Sequence, residues 1–129
     1  PLYSSAASDV YKRQKVEDAS SRGYIRGLDG RRLYVRHAHA ALNTLLQGGG
    51  SILCKQWSIN MDRSIRSERL KANLVNTVHD ELQYESHMDD AKRLVELSSL
   101  TIKEAGRMLN LRLPMDSEAK IGMSWADTH

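Results

Sequence analysis

Apolar residues recur at helical spacing in two stretches of the chain. Between residues 38 and about 65, Leu42, Leu45, Leu46, Ile52, Leu53, Trp57 and Met61 follow one another at steps built from three and four residues, as one face of a long α-helix requires. Gly48, Gly49 and Gly50 interrupt this run. Each costs a helix interior roughly 1 kcal/mol relative to alanine, so the triplet marks either a break or a place where another backbone comes very close; a break is the expectation. The second run is Ala91, Leu94, Val95, Ser98, Ile102, Ala105 and Leu109. Asp89 and Asp90 open it, as acids suit a helix N-terminus.

Two other stretches read as hairpins. In 23–36 the strand formers Tyr24, Ile25, Leu33, Tyr34 and Val35 flank Asp29-Gly30, a two-residue turn signal in which glycine accepts a positive φ. Further on, Leu74, Val75, Thr77 and Val78 precede His79-Asp80-Glu81, and Leu82, Gln83 and Tyr84 follow. This predicts a second hairpin with the acids at its tip. The charged residues 65–72 read as a connector, and Leu111, Leu113, Pro114 and Met115 as a short final edge strand, where proline is tolerated. The fold class expected is α+β, with antiparallel hairpins packed against two long helices. Residues 1–14 have no clear period and look like the peptide produced when sequencing-adapter DNA is translated. They are expected to be a non-native or disordered tail, leaving 15–129 as the folded unit; the start at Pro1 rather than Met fits a fragment.

Composition changes this picture little. Hydrophobic residues at 40% and charged residues at 27% describe an ordinary globular chain rather than a disordered one. The single cysteine, Cys54, excludes an intrachain disulfide and suits a reducing compartment. No apolar run is long enough to span a membrane. The formal charge of +3 is mildly basic, but five arginines (Arg22, Arg26, Arg31, Arg32, Arg36) stand against one acid, Asp29, between residues 22 and 36. Such a cluster is either a solvated hairpin or a surface for nucleic acid.

Three sets of residues could carry chemistry. Adjacent carboxylates at Asp80 and Glu81, with His79 beside them, repel one another unless a divalent cation intervenes; Mg²⁺ takes one or two carboxylates together with substrate phosphates. The plainer reading is an acidic turn. Asn43 and Gln47, four residues apart, share a helix face opposite Leu42, Leu45 and Leu46. Two long amides there could donate to the minor-groove acceptors present in every base pair, or be ordinary surface amides. His37, His39, Cys54 and His79 lack the compact spacing of a zinc site, and no phosphate-binding glycine loop is present.

The blocks GYIRGLDGRRLYVR (23–36), HAALNTLLQGGGSILCKQW (39–57), VHDEL (78–82) and KIGMSWADTH (120–129) occur in an order and spacing that resembles the end of family A DNA polymerases, closer to the phage replicative branch than to bacterial DNA polymerase I. The resemblance implies the C-terminal part of a polymerase palm, with motif C at the second hairpin. It implies that Asp80 is the metal-binding aspartate, Glu81 the auxiliary acid and His79 the histidine near the primer terminus. Gln47 and Asn43 would contact primer–template DNA, and Arg36 lies near residues that approach its backbone. The implied cofactor is a pair of Mg²⁺ ions, the partners are primer–template DNA, dNTP and the N-terminal polymerase regions, and the location is the cytoplasm of a bacterial or phage-infected cell. His129 falls where the family's chains end. Motif A with its aspartate and motif B with its Lys and Tyr have no counterpart, so the chain alone is expected to be inactive. The stretch from Asp62 to Asn73 looks short for a phage enzyme. A small basic nucleic-acid-binding module without catalysis is the alternative.

Overall fold

The structure, a computed structural model, describes residues 12–129. Residues 12–20 are helical (α1). There follow β1 (Tyr24–Arg26), β2 (Arg32–Tyr34), a 3-10 turn (Ala38–Ala40), α2 (Ala41–Glu68), β3 (Ala72–Val78), β4 (Glu81–Ser86), α3 (Met88–Met108) and a last 3-10 turn (Trp125–Asp127). The expected α+β class holds, with two antiparallel hairpins and two long helices. The expected tail at 1–14 lies outside the described residues as far as residue 11; residues 12–14 belong to α1. The chain divides into two compact units, Pro1–Ile52 and Leu53–His129.

In the first unit β1 and β2 pair with Ile25 opposite Leu33. The turn between them is longer than the two residues expected. Gly30 N–H donates to the Gly27 carbonyl at 3.0 Å, and Gly27 N–H to the Arg31 carbonyl at 2.9 Å. Leu28 and Asp29 are thus the central pair, and Gly30 follows them at φ +81°, the arrangement of a three-residue loop with a glycine bulge.

The expected break at Gly48–Gly50 does not occur, since α2 is continuous from Ala41 to Glu68. The glycines serve close packing instead. A Cβ on Gly48 would stand 3.0 Å from Leu33 Cδ1, and one on Gly49 3.2 Å from Leu28 Cδ1, so the hairpin rests its leucines where side chains are missing. A Cβ on Gly50 would meet nothing within 4 Å among the described residues. Leu46, expected on the covered face, is 65% exposed, because the hairpin covers the glycine side of the helix.

In the second unit Trp57, Met61 and Ile65 of α2 pack with Leu97, Ile102 and Ala105 of α3, and Leu82, Tyr84 and Met115 lie against this core. Polar atoms tie the helices. The Trp57 indole N–H donates to the Ser98 carbonyl at 3.1 Å, and Asn60 Nδ2 to the Thr101 carbonyl at 3.3 Å. The buried face of α3 therefore includes Leu97 and Thr101, which the apolar pattern leaves out. Thr101 is polar, but its hydroxyl is spent on the Leu97 carbonyl at 2.6 Å, and so it can be buried.

Residues 65–72 are not a connector over their whole length. The helix continues to Glu68 and stops through backbone bonds: Leu70 N–H donates to the Ile65 carbonyl at 3.0 Å and Arg69 N–H to the Arg66 carbonyl at 3.2 Å. This is a Schellman end with Arg69 at φ 54° in the place glycine usually takes. Asn110, at φ 55°, ends α3 in the same way.

The expected edge strand at Leu111–Met115 is absent. Side chains hold this stretch along α3 instead of a backbone ladder. Met115 Cγ would sit 3.0 Å from a Cβ on Gly106, Ser117 Oγ is 2.7 Å from Ser98 Oγ, and Ser99 donates to Asp116. Pro114 has no N–H to offer a ladder, and Leu113 is left 73% exposed.

Two outcomes follow from the packing. Gly50→Ala should stabilise the chain by about 1 kcal/mol, the full helix-propensity gain. Gly49→Leu should instead destabilise it by about 1–3 kcal/mol through overpacking against Leu28. Urea unfolding of the two variants checks this, and equal signs would contradict the close approach. Burial first, then the charge of Asp62, push the Tyr84 hydroxyl up to about 12. The folded value exceeds the ordinary 10.0, so the stability Tyr84 contributes is whole below pH 10 and is lost as pH rises through about 12. Absorbance titration of the five tyrosines should show a late component that Tyr84→Phe removes.

Candidate functional site

The second hairpin closes in a two-residue turn. Val78 pairs with Glu81, leaving His79 and Asp80 as the central residues, with Glu81 the first residue of β4. His79 has φ 52°. A residue other than glycine in the left-handed region costs about 1 kcal/mol or more, so the turn is held by the strands around it. Val75 has no partner in the register between Leu74↔Tyr84 and Asn76↔Gln83. This bulge increases the local twist of β3 four residues before the turn.

The three residues of the turn differ in what they touch. Asp80 is exposed, and among the described residues its carboxylate enters no hydrogen bond or ion pair. Glu81 is also exposed but is engaged: Gln83 Nε2 donates to its Oε1 at 2.7 Å, and His129 Nε2 lies 2.9 Å from the same oxygen. Gln83 first, then His129, with Lys120 further off, hold its carboxyl below the usual range. Cys54, half-buried on α2, is close enough to feel Asp80. Burial pushes its thiol up, and the Asp80 charge pushes it further.

Asp80 thus offers hard oxygen ligands with no prior commitment, as a Mg²⁺ ion takes them. It fits part of a coordination shell only: among the described residues no three of His, Cys, Asp and Glu come together. His37 and His39 stack on each other with ring centroids 5.5 Å apart.

The other expected site residues lie in the first unit. Asn43 and Gln47 are exposed on α2, and Arg36 is exposed beyond the end of β2. In β1, Tyr24 lies under two guanidinium groups, Arg32 at 4.8 Å and Arg22 at 5.4 Å from its ring centre. Sequence reading missed the effect of the Asp80 charge on Cys54 and the contact of Glu81 with His129. Each joins residues far apart in the chain, and no local spacing signals it.

The family model of DNA polymerase family A matches residues 4–127. The DNA-directed DNA polymerase of Enterobacteria phage T3 is 36% identical over 115 residues, covering 84% of this chain and 16% of that protein. The DNA-directed DNA polymerase of Escherichia phage Phieco32 is 32% identical over 122 residues, covering 89% of this chain and 20% of that protein. Among solved structures, the POL domain of Pol1 from M. smegmatis, in complex with DNA primer–template and dNTP, superposes with a TM-score of 0.64 at 29% identity, over 72% of this chain and 19% of that one. The chain therefore spans a fifth or less of the length of these relatives.

The effect of the Asp80 charge on Cys54 is open to a direct check. Removing the negative charge should make the thiolate easier to form, so iodoacetamide should alkylate Cys54 faster in Asp80→Asn than in the parent chain at pH 8. Unchanged rates would mean that the two side chains do not sense each other.

Proposed function

We propose, for a chain that belongs to DNA polymerase family A, that it is part of a DNA-directed DNA polymerase and that Asp80 supplies one carboxylate to its metal site. The reaction is template-directed nucleotidyl transfer, in which the primer 3′-oxygen attacks the α-phosphate of a dNTP and pyrophosphate leaves. The observation that carries this reading is Asp80 itself, an uncommitted carboxylate on a strained turn inside the matched span. Strain held in place by surrounding structure is common at functional sites.

Asp80 and Glu81 would hold Mg²⁺, which when bound stabilises the attacking and leaving oxygens. His79, exposed on the same turn, would face the primer terminus. Asn43 and Gln47, both exposed, would donate to minor-groove acceptors and so test the geometry of a base pair without reading its identity. Arg36 and the exposed arginines of the first hairpin would approach phosphates. Such contacts supply affinity and position rather than sequence information. The work would take place in the cytoplasm of a bacterial or phage-infected cell.

No second carboxylate cluster stands with Asp80 among the described residues, so the isolated chain is inactive in this reading. The 129-residue chain should give no templated primer extension with Mg²⁺ and dNTPs; measurable extension would refute this. In the intact polymerase, Asp80→Ala should lower turnover by orders of magnitude while DNA affinity stays near its original value, because backbone contacts dominate affinity. Gln47→Ala should slow extension from paired ends more modestly. Near-normal extension by Asp80→Ala, with salt-dependent DNA binding retained, would leave only a basic binding module, the reading that the Tyr24–arginine stack favours.

A further inference from the structure

The last turn of the chain is built to present one imidazole. Ser124 N–H and Oγ–H donate to Asp127 Oδ2 at 2.8 and 3.0 Å, and Asp127 N–H returns a bond to the Ser124 carbonyl at 3.1 Å. Gly122 lets this turn close, since a Cβ there would lie 2.5 Å from Asp127 Cβ. The Trp125 indole stacks on the His129 ring, with centroids 4.3 Å apart and planes 20° from parallel. His129 Nδ1 lies 3.1 Å from the Trp125 carbonyl. The ring is thus fixed by its stack on Trp125, and its other nitrogen, Nε2, meets Glu81 Oε1 at 2.9 Å.

That contact joins residues 48 positions apart, and it lands beside Asp80. Gln83 approaches the same oxygen from β4 itself, so two donors converge on Oε1 while Oε2 takes none among the described residues. An exposed pair of this kind adds little to stability. What it controls is the direction of a carboxylate. A histidine that anchors one oxygen of an acid leaves the other aimed and available, as the outer partners of metal ligands do.

We infer that His129 is a positioning residue for the metal-binding turn, holding Glu81 by Oε1 so that its free oxygen and the Asp80 carboxylate stand ready together. This role rests on the reading of Asp80 as a metal ligand. His129 touches no reacting atom in it and acts through Glu81.

The test uses the full 129-residue chain with MnCl₂ as the probe and NMR as the readout. Mn²⁺ should broaden the amide signals of residues 79–81, and Asp80→Asn should abolish the effect. His129→Ala should weaken Mn²⁺ binding on the order of tenfold with little change in melting temperature. His129→Gln, whose side-chain N–H can donate to the same oxygen, should recover most of the loss. Gly122→Ala, which opens the turn without touching either partner, should weaken binding as His129→Ala does. The ring nitrogen signals of His129 report the contact independently and should move in Glu81→Ala. Ring signals indifferent to Glu81→Ala would show that the contact does not form and overturn the proposal. Equal Mn²⁺ affinity in the parent chain and in His129→Ala would also overturn it. Absence of broadening in the parent chain, with the ring signals still responding to Glu81→Ala, would overturn the metal reading and this role with it.

Discussion

The second unit depends on two side-chain donors that reach from one helix to the backbone of the other. Trp57 and Asn60 of α2 donate to the carbonyls of Ser98 and Thr101 on α3, and both side chains are buried. A buried donor left without a partner costs on the order of 1–3 kcal/mol, so these bonds penalise any other rotation of α3. The apolar contacts of Met61 and Ile65 with Leu97, Ile102 and Ala105 supply the burial; the two donors select one arrangement of it. With that arrangement set, Leu82 and Tyr84 of β4 have a surface to pack on, and the hairpin that carries the acidic turn is anchored by its second strand.

The turn shows how a stable base supports an unfavourable tip. β3 is exposed along nearly its whole length, whereas the middle of β4 is half-buried against the core. The strain at His79 is offset by those contacts, and among the described residues the Asp80 carboxylate at the tip enters no hydrogen bond or ion pair. Asp80 and Glu81 are neighbours with different surroundings. One is uncommitted, and the other is held by Gln83 and His129. Adjacent acids of this kind need not play equal parts, since neighbours and hydrogen bonds set what each carboxylate can do.

In the first unit the same economy takes another form. A helix with three successive glycines would be weak alone. Here two of the glycines admit Leu33 and Leu28 of the first hairpin, and tertiary contact overrides local propensity. The hairpin keeps its arginines outside, with Tyr24 shielding two of them. Its exposed face is therefore cationic while its leucines are spent on the helix.

The sequence by itself determined the class and order of the main elements, because helical spacing and strand-forming runs are local properties: α2 and α3, both hairpins and the acids at the second turn are legible in it. The order of its four blocks also carried the family, as the match over residues 4–127 shows. Tertiary structure decided what local pattern cannot hold. Gly48 and Gly49 became a docking face rather than a break because leucines from another element fill the space. Leu111–Met115 became a strap along α3 rather than a strand because its side chains, and not its backbone, found partners there. The face of α3 turned to bury Leu97 and Thr101 because donors from α2 required it. The contact of His129 with Glu81 exists only through the fold, since residues 48 apart leave no period or spacing by which one could announce the other.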